Sequence, residues 1–281
     1  MMTIRLLFPE GKRKAFTTSY DDGVHQDRTL IRVMQENGIV GTFNLNSGRF
    51  GIRENFTRDG RTIDASKIEN TEIAALYEKQ EVASHALDHM NFEHAPSNVI
   101  AYQVVEDRKN LEKITGKLVR GFAYPYGYYD KKVEQVLADC GICYARTVCS
   151  THAFDLPEDF LAWHPTCHHD DCALFSLLKQ FCEEESPYGQ PQVFYLWGHA
   201  YEFDEKDNWD RIKEALSYVG NHKEKLWMAT NGMIYDYVTS FHALVYSCDG
   251  TMVHNPTAQK IWVELDGKQY VLKPGDTCFC K

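Results

Sequence analysis

The sequence predicts an α/β fold, a parallel sheet with helices outside it, followed by a small β-rich appendage. Two observations carry this prediction. Short β-prone runs alternate with helix-period stretches over most of the 281 residues, giving seven strand–helix pairs. From about residue 239 onward the pattern changes to strands joined by turns, so residues 1–239 are read as the main unit and 240–281 as the appendage. A third observation points to a site: reactive side chains recur at the C-terminal ends of the strands, the ends that converge on one face of a parallel barrel.

The first strand spans 15–20 and stops at Asp21, Asp22 and Gly23. A helical stretch over 25–37 follows, marked by Leu30, Ile31, Val33 and Met34 and stopped by Gly38. The second strand, 41–45, leads into a loop, and Ser66 with Glu69 forms a capping box for a helix through Leu76. The third strand, 81–84, ends at His85. A long helix over 97–115 closes at Gly116, and a fourth strand, 118–124, is halted by Pro125-Tyr126-Gly127. Asp130 caps a helix reaching Cys140, and the fifth strand is 142–148. Residues 150–171 form a long excursion whose Thr166, His168, His169, Asp170 and Asp171 read as a solvated rim touching substrate, in preference to a second metal cluster. Helices over 172–184 and 208–219 flank a sixth strand, 193–197, which ends at Gly198-His199; the seventh strand is 226–230. In the appendage, Asp266-Gly267 is a two-residue hairpin signal.

Composition bounds the function. With 43% apolar residues the chain can build a core, and a net charge of −10 without any basic run argues against nucleic acid or an anionic membrane as partner. No apolar run reaches the roughly 18 residues of a spanning helix. Residues 1–9 break too early to act as a secretion signal, so a cytoplasmic setting is expected. Nine cysteines, with Cys140-x-x-Cys143 and Cys278-x-Cys280 unmatched at zinc-ribbon spacing, are expected to be reduced thiols.

Two adjacent carboxylates at the end of a buried strand are costly unless a cation or a proton resolves them. The dense cluster of ligand types at His85 and His89 is the natural complement. Asp22, His85 and His89 make three ligands with an open position, the pattern of a catalytic zinc-type site. Four residues apart, the two histidines are expected to share one side of a helical turn.

At these residues the chain resembles the NodB-type polysaccharide deacetylases, carbohydrate esterase family four. Ser19-Tyr20-Asp21-Asp22-Gly23 is similar to the family's T-F-D-D-G motif, and His85-Ala86-Leu87-Asp88-His89 to its H-[ST]-x-x-H. Tyr124-Pro125-Tyr126-Gly127 matches half of R-P-P-Y-G, and Leu196-Trp197-Gly198-His199 is similar to its strand ending L-x-H. The resemblance implies a distorted seven-stranded (β/α) barrel, one divalent metal and removal of N-acetyl groups from an amino sugar in an oligo- or polysaccharide. Zinc is the leading metal, with cobalt, nickel or iron as the others.

Amide cleavage needs an activated water, a stabilised oxyanion and a protonated leaving nitrogen. Asp21 is expected to take the proton from the attacking water and His199 to deliver one to the departing amine. The resemblance puts an oxyanion donor at the backbone N–H of Tyr126, typically worth roughly 3 kcal/mol. Ala123 stands where the family has an arginine, and Arg146 is the candidate to replace it. Trp197 stands where a leucine usually lines the acetyl pocket. Tyr128 and Trp163 either stack on a sugar ring or pack the loop. The competing functions are hydrolysis of another non-peptide C–N bond, such as a cyclic amide or ureide, and carbohydrate binding without turnover.

Overall fold

In the computed structural model, which describes residues 4–279, the strand Lys14–Asp21 runs through the middle of the sheet and is buried along its whole length. Gln192–His199 pairs with it along one side, placing His199 opposite Asp21. On the other side Leu226–Met228 pairs with its first residues and Thr42–Leu45 with its last. Glu81–Ser84, Gly121–Ala123 and Tyr144–Arg146 continue outward, and every pairing in this sheet is parallel. All seven strands read from the sequence are therefore present, in a half-barrel covered by helices. The strands are enclosed on both faces, so they do not alternate apolar with exposed polar residues, and the polar side chains they carry, such as Thr17, Thr18, Ser19 and Asn44, are buried with the apolar ones. The fourth strand is shorter than expected because Leu118, at 78% exposure, lies outside the sheet.

The excursion joins the two flanks of the sheet. Trp163 makes a parallel bridge with Arg146, and Thr147 N–H donates to Trp163 O at 3.0 Å. A few residues on, the two-residue strand Cys167–His168 pairs with Leu196 and Trp197.

Helix ends follow local chemistry. The carboxylate of Asp130 accepts the N–H of Val133 at 2.8 Å to open the helix Lys131–Asp139, and Gly116, at φ 67°, closes Ser97–Thr115. The capping box at Ser66 does not form. Ser66 Oγ instead accepts the Glu54 N–H at 3.2 Å, Glu69 pairs with Arg53, and the helix there is only Ile73–Leu76. The loop before it holds an antiparallel hairpin, Asn55–Arg58 with Arg61–Asp64. Asp59-Gly60, both at positive φ, was its available signal.

The appendage hairpin, Ile261–Leu265 with Lys268–Leu272, turns at Asp266 and Gly267, both at positive φ. Its outer edge is taken by the N-terminal strand Ile4–Leu7, so that chain start and appendage share one sheet. Tyr237 on the helix Asn231–His242 fastens both, donating to Leu7 O at 2.8 Å and accepting the Trp262 N–H at 2.8 Å. The Cys278-x-Cys280 spacing ends outside the described residues. No helix among the described residues is long and apolar enough to cross a membrane.

Asp27 opens the helix Asp27–Glu36 fully buried; its Oδ2 accepts the Tyr77 hydroxyl at 2.6 Å and its Oδ1 has no partner. Burial pushes its carboxyl up to about 8, against the opposing effects of Tyr77 and Lys67. The folded chain thus keeps a proton that the unfolded chain loses above about pH 4. Stability is lost as pH rises from there towards about 8, by up to about 1.4 kcal/mol per pH unit. Asp27→Asn cannot ionise, so its melting advantage over the wild type should widen between about pH 5 and about pH 8. Urea melts at both ends of that range check this, and an unchanging difference contradicts it.

Candidate active site

Asp21 ends the central strand and Asp22 turns out of it at φ 79°. Asp22 Oδ1 stands 3.9 Å from His85 Nε2 and 3.6 Å from His89 Nε2. The two imidazoles meet edge to face, 4.7 Å between centroids. They do not share a helical turn, contrary to the expectation from their spacing. Ala86 and His89 both have positive φ, and the bend is held by Asn46 Nδ2 on Ala86 O at 2.7 Å and by Leu87 N–H on Gln103 O at 3.1 Å. Tyr126 also sits at positive φ, 59°. Four non-glycine residues in this region, Asp22, Ala86, His89 and Tyr126, cluster at one rim, each costing of order 1 kcal/mol that the surrounding structure must offset.

The donor set fits a divalent ion. The three ligand atoms of Asp22, His85 and His89 lie within 4.8 Å of one another. His85 Nδ1 faces Ala123 O at 2.7 Å, so the proton sits on Nδ1 and the Nε2 lone pair is left facing Asp22. Burial holds His85 below the usual imidazole range, and burial together with His85 brings His89 down to about 4. Both rings are neutral at neutral pH, the form that ligates a metal. Burial works against the Asp22 carboxylate, but Lys67 and then His199 outweigh it and keep it ionised.

Lys67 is a neighbour that sequence reading missed. A bridge between Val24 and Lys67 brings it alongside, 5% exposed, with Nζ 3.7 Å from Asp22 Oδ2, the oxygen turned away from the histidines.

Asp21 is buried inside a ring of donors. Asn44 Nδ2 donates to its Oδ1 at 2.7 Å and the Arg146 guanidinium to its Oδ2. His85 Nε2 and His199 Nε2 each lie 3.8 Å from Oδ2. Burial alone would raise the Asp21 carboxyl; Arg146 foremost, with His199, holds it below the usual range. Arg146 is itself fully buried, stacked 4.3 Å over the Trp197 ring. Arg120, the other arginine near the altered motif, is engaged elsewhere by Asp236 at 2.7 Å.

Behind His199 stands Glu202, a second residue that sequence reading did not single out. Its Oε2 accepts the backbone N–H of His199 at 3.1 Å and lies 3.5 Å from the ring nitrogen Nδ1. A carboxylate three residues beyond the histidine was the available signal. Burial disfavours the His199 charge, yet Glu202, Asp21 and Asp22 outweigh it and raise the imidazole to about 9.

The structure thus brings together Asp21, Asp22, His85, His89, Arg146, Trp197 and His199, with Tyr126 exposed at the rim, its ring 4.6 Å from His89. Tyr128 is tied to Asp130 through its hydroxyl at 2.9 Å. Trp163 does not offer a stacking face: it is 2% exposed, wedged edge-on between Tyr144, Phe160 and Tyr195, and it packs the excursion. Thr166 and His169, expected on a solvated rim, are buried, Thr166 donating to Ala153 O at 3.0 Å and His169 lying against Phe203 and Tyr20.

Comparison with known proteins agrees with the fold and the motifs. The family profile described as polysaccharide deacetylase matches residues 9–145, a span holding Asp21, Asp22, His85, His89 and Tyr126 and stopping short of Arg146 and His199. A chitooligosaccharide deacetylase from Azorhizobium caulinodans is 24% identical over 127 residues, 44% of this chain and 53% of that protein. The chain thus spans about half the length of the curated relative it matches. A Mycobacterium smegmatis protein assigned to the polysaccharide deacetylases superposes with a TM-score of 0.59 at 14% identity, over 85% of this chain and 94% of that one. The Xyl-CE4 domain of a multidomain xylanase from the hindgut metagenome of Trinervitermes trinervoides gives 0.50 at 12% identity, over 81% and 91%. The fold class is that of the carbohydrate esterase family four half-barrels. The chain is related to the NodB-type polysaccharide deacetylases, the family its motifs resemble.

Proposed function

We propose that the protein is a metal-dependent hydrolase that removes N-acetyl groups from an N-acetylated amino sugar, free or within an oligo- or polysaccharide. The observation that carries this reading is the triad Asp22, His85 and His89 set beside a buried, charge-paired Asp21, with His199 next to it on the adjoining strand. Asp22, His85 and His89 would hold one divalent ion, zinc foremost, which when bound polarises the acyl oxygen and acidifies water.

Asp21 is kept ionised and aimed by Arg146 and Asn44, and takes the proton of the attacking water. The backbone N–H of Tyr126 serves the developing oxyanion. His199, protonated at neutral pH and backed by Glu202, delivers a proton to the departing nitrogen. Trp197, pinned under Arg146, walls the acyl group. Residues 1–239 carry this machinery, and 240–281 serve as the appendage.

Acetate release from N-acetylglucosamine oligomers tests the reading. Turnover should vanish on chelation and return with about one equivalent of zinc. A zinc-loaded chain that frees no acetate from any oligomer would sink it.

A further inference from the structure

The excursion places a second cluster of ligand-type side chains behind His199. One atom each from His168, His169, Asp170 and Glu202 falls within 4.8 Å of the others. Where the protons sit decides against an ion there. His168 Nδ1 accepts the N–H of Asp170 at 3.2 Å, so the ring carries its proton on Nε2, which stands 3.0 Å from Glu202 Oε2. A ring so disposed donates and has no lone pair left for a metal. Both oxygens of Asp170 are taken, one by Asn208 Nδ2 at 3.0 Å and the other by the Lys206 ammonium.

What remains is a convergence on one carboxylate oxygen. His169 Nε2 lies 3.1 Å from Glu202 Oε2, its ring fully buried 4.3 Å from that of Phe203. Gly198 makes this approach feasible, since a Cβ there would stand 2.1 Å from His169 Nδ1. The oxygen that faces His168 and His169 is the same one that accepts the backbone N–H of His199 and stands 3.5 Å from its ring Nδ1.

We infer that His168 and His169 are positioning residues for His199, acting through Glu202: they fix the carboxylate so that His199 keeps Nδ1 on Glu202 and turns Nε2 toward Asp21 and the reacting nitrogen. The inference rests on His199 being the proton donor. It gives the excursion a task, locking the donor ring from behind.

The test compares an N-acetyl amine with an aryl acetate, whose phenolate leaves without being protonated. His168→Phe and His169→Phe should each lower kcat on the amide roughly tenfold or more with KM little changed, while ester hydrolysis falls by less than about threefold. His168→Gln, which keeps an N–H donor, should recover most of the amide rate. Metal content and thermal melts of each variant are recorded alongside, and imidazole ¹⁵N spectra of the zinc-loaded wild type should show His168 protonated on Nε2 alone and His199 on both Nδ1 and Nε2. Equal losses on both substrates, no loss on either, an unprotonated His168 Nε2, or a second zinc equivalent that disappears in His168→Phe would each overturn the inference. A wild type unable to cleave the amide would instead defeat the functional reading, while the ¹⁵N spectra would still judge the link through Glu202.

Discussion

Asp21→Asn is expected to cut turnover roughly 10²- to 10⁴-fold while the chain still takes up its divalent ion. Asparagine has the same shape, so Asn44 keeps its partner and the neighbouring Asp22, His85 and His89 stay in place. What disappears is the one buried carboxylate that the surrounding cations hold ionised without engaging it as a ligand. Rate on an N-acetylated oligosaccharide and zinc content, measured on one preparation, check this. A fully active variant would show that another group takes the proton.

Arg146→Met should cost both stability and activity. Arg146 and Asp21 form an ion pair with both side chains removed from water, and removing one partner of such a pair typically costs about 3–5 kcal/mol. The sign with pH follows from the direction of the Asp21 shift. A carboxyl held low in the folded chain stabilises it above the unfolded value, and that contribution is lost as pH falls. The deficit of Arg146→Met should therefore be largest near neutral pH and shrink below about pH 4. Arg146→Lys should recover little, because an ammonium neither stacks flat on Trp197 nor presents the guanidinium fork. Denaturant melts of the three proteins at neutral and acid pH read this out, and a pH-independent deficit would contradict it.

The strands of the half-barrel were legible because each is a short β-prone run set between helix-period stretches, and the candidate site residues were legible because they end those runs. Asp21, His85 and His199 each close a strand or follow its last residue directly. The rest depends on contacts that local pattern does not encode. Lys67 reaches Asp22 only because the segment after the hairpin bridges back to Val24. Glu202 reaches His199 through a turn that begins a four-residue helix. The histidine spacing suggested a helix, whereas the bend at Ala86 is set by Asn46 and Gln103 from other parts of the fold. Trp163, placed in a polar excursion, gave no sign that the excursion completes the sheet and buries it.

Calorimetric titration of zinc into the metal-free wild type, Asp21→Asn and His89→Gln tests the centre of this account most directly. The expected result is about one tight equivalent for the first two proteins and a loss of affinity of about tenfold or more for the third. Undiminished binding by His89→Gln, or no tight site in the wild type, would contradict it.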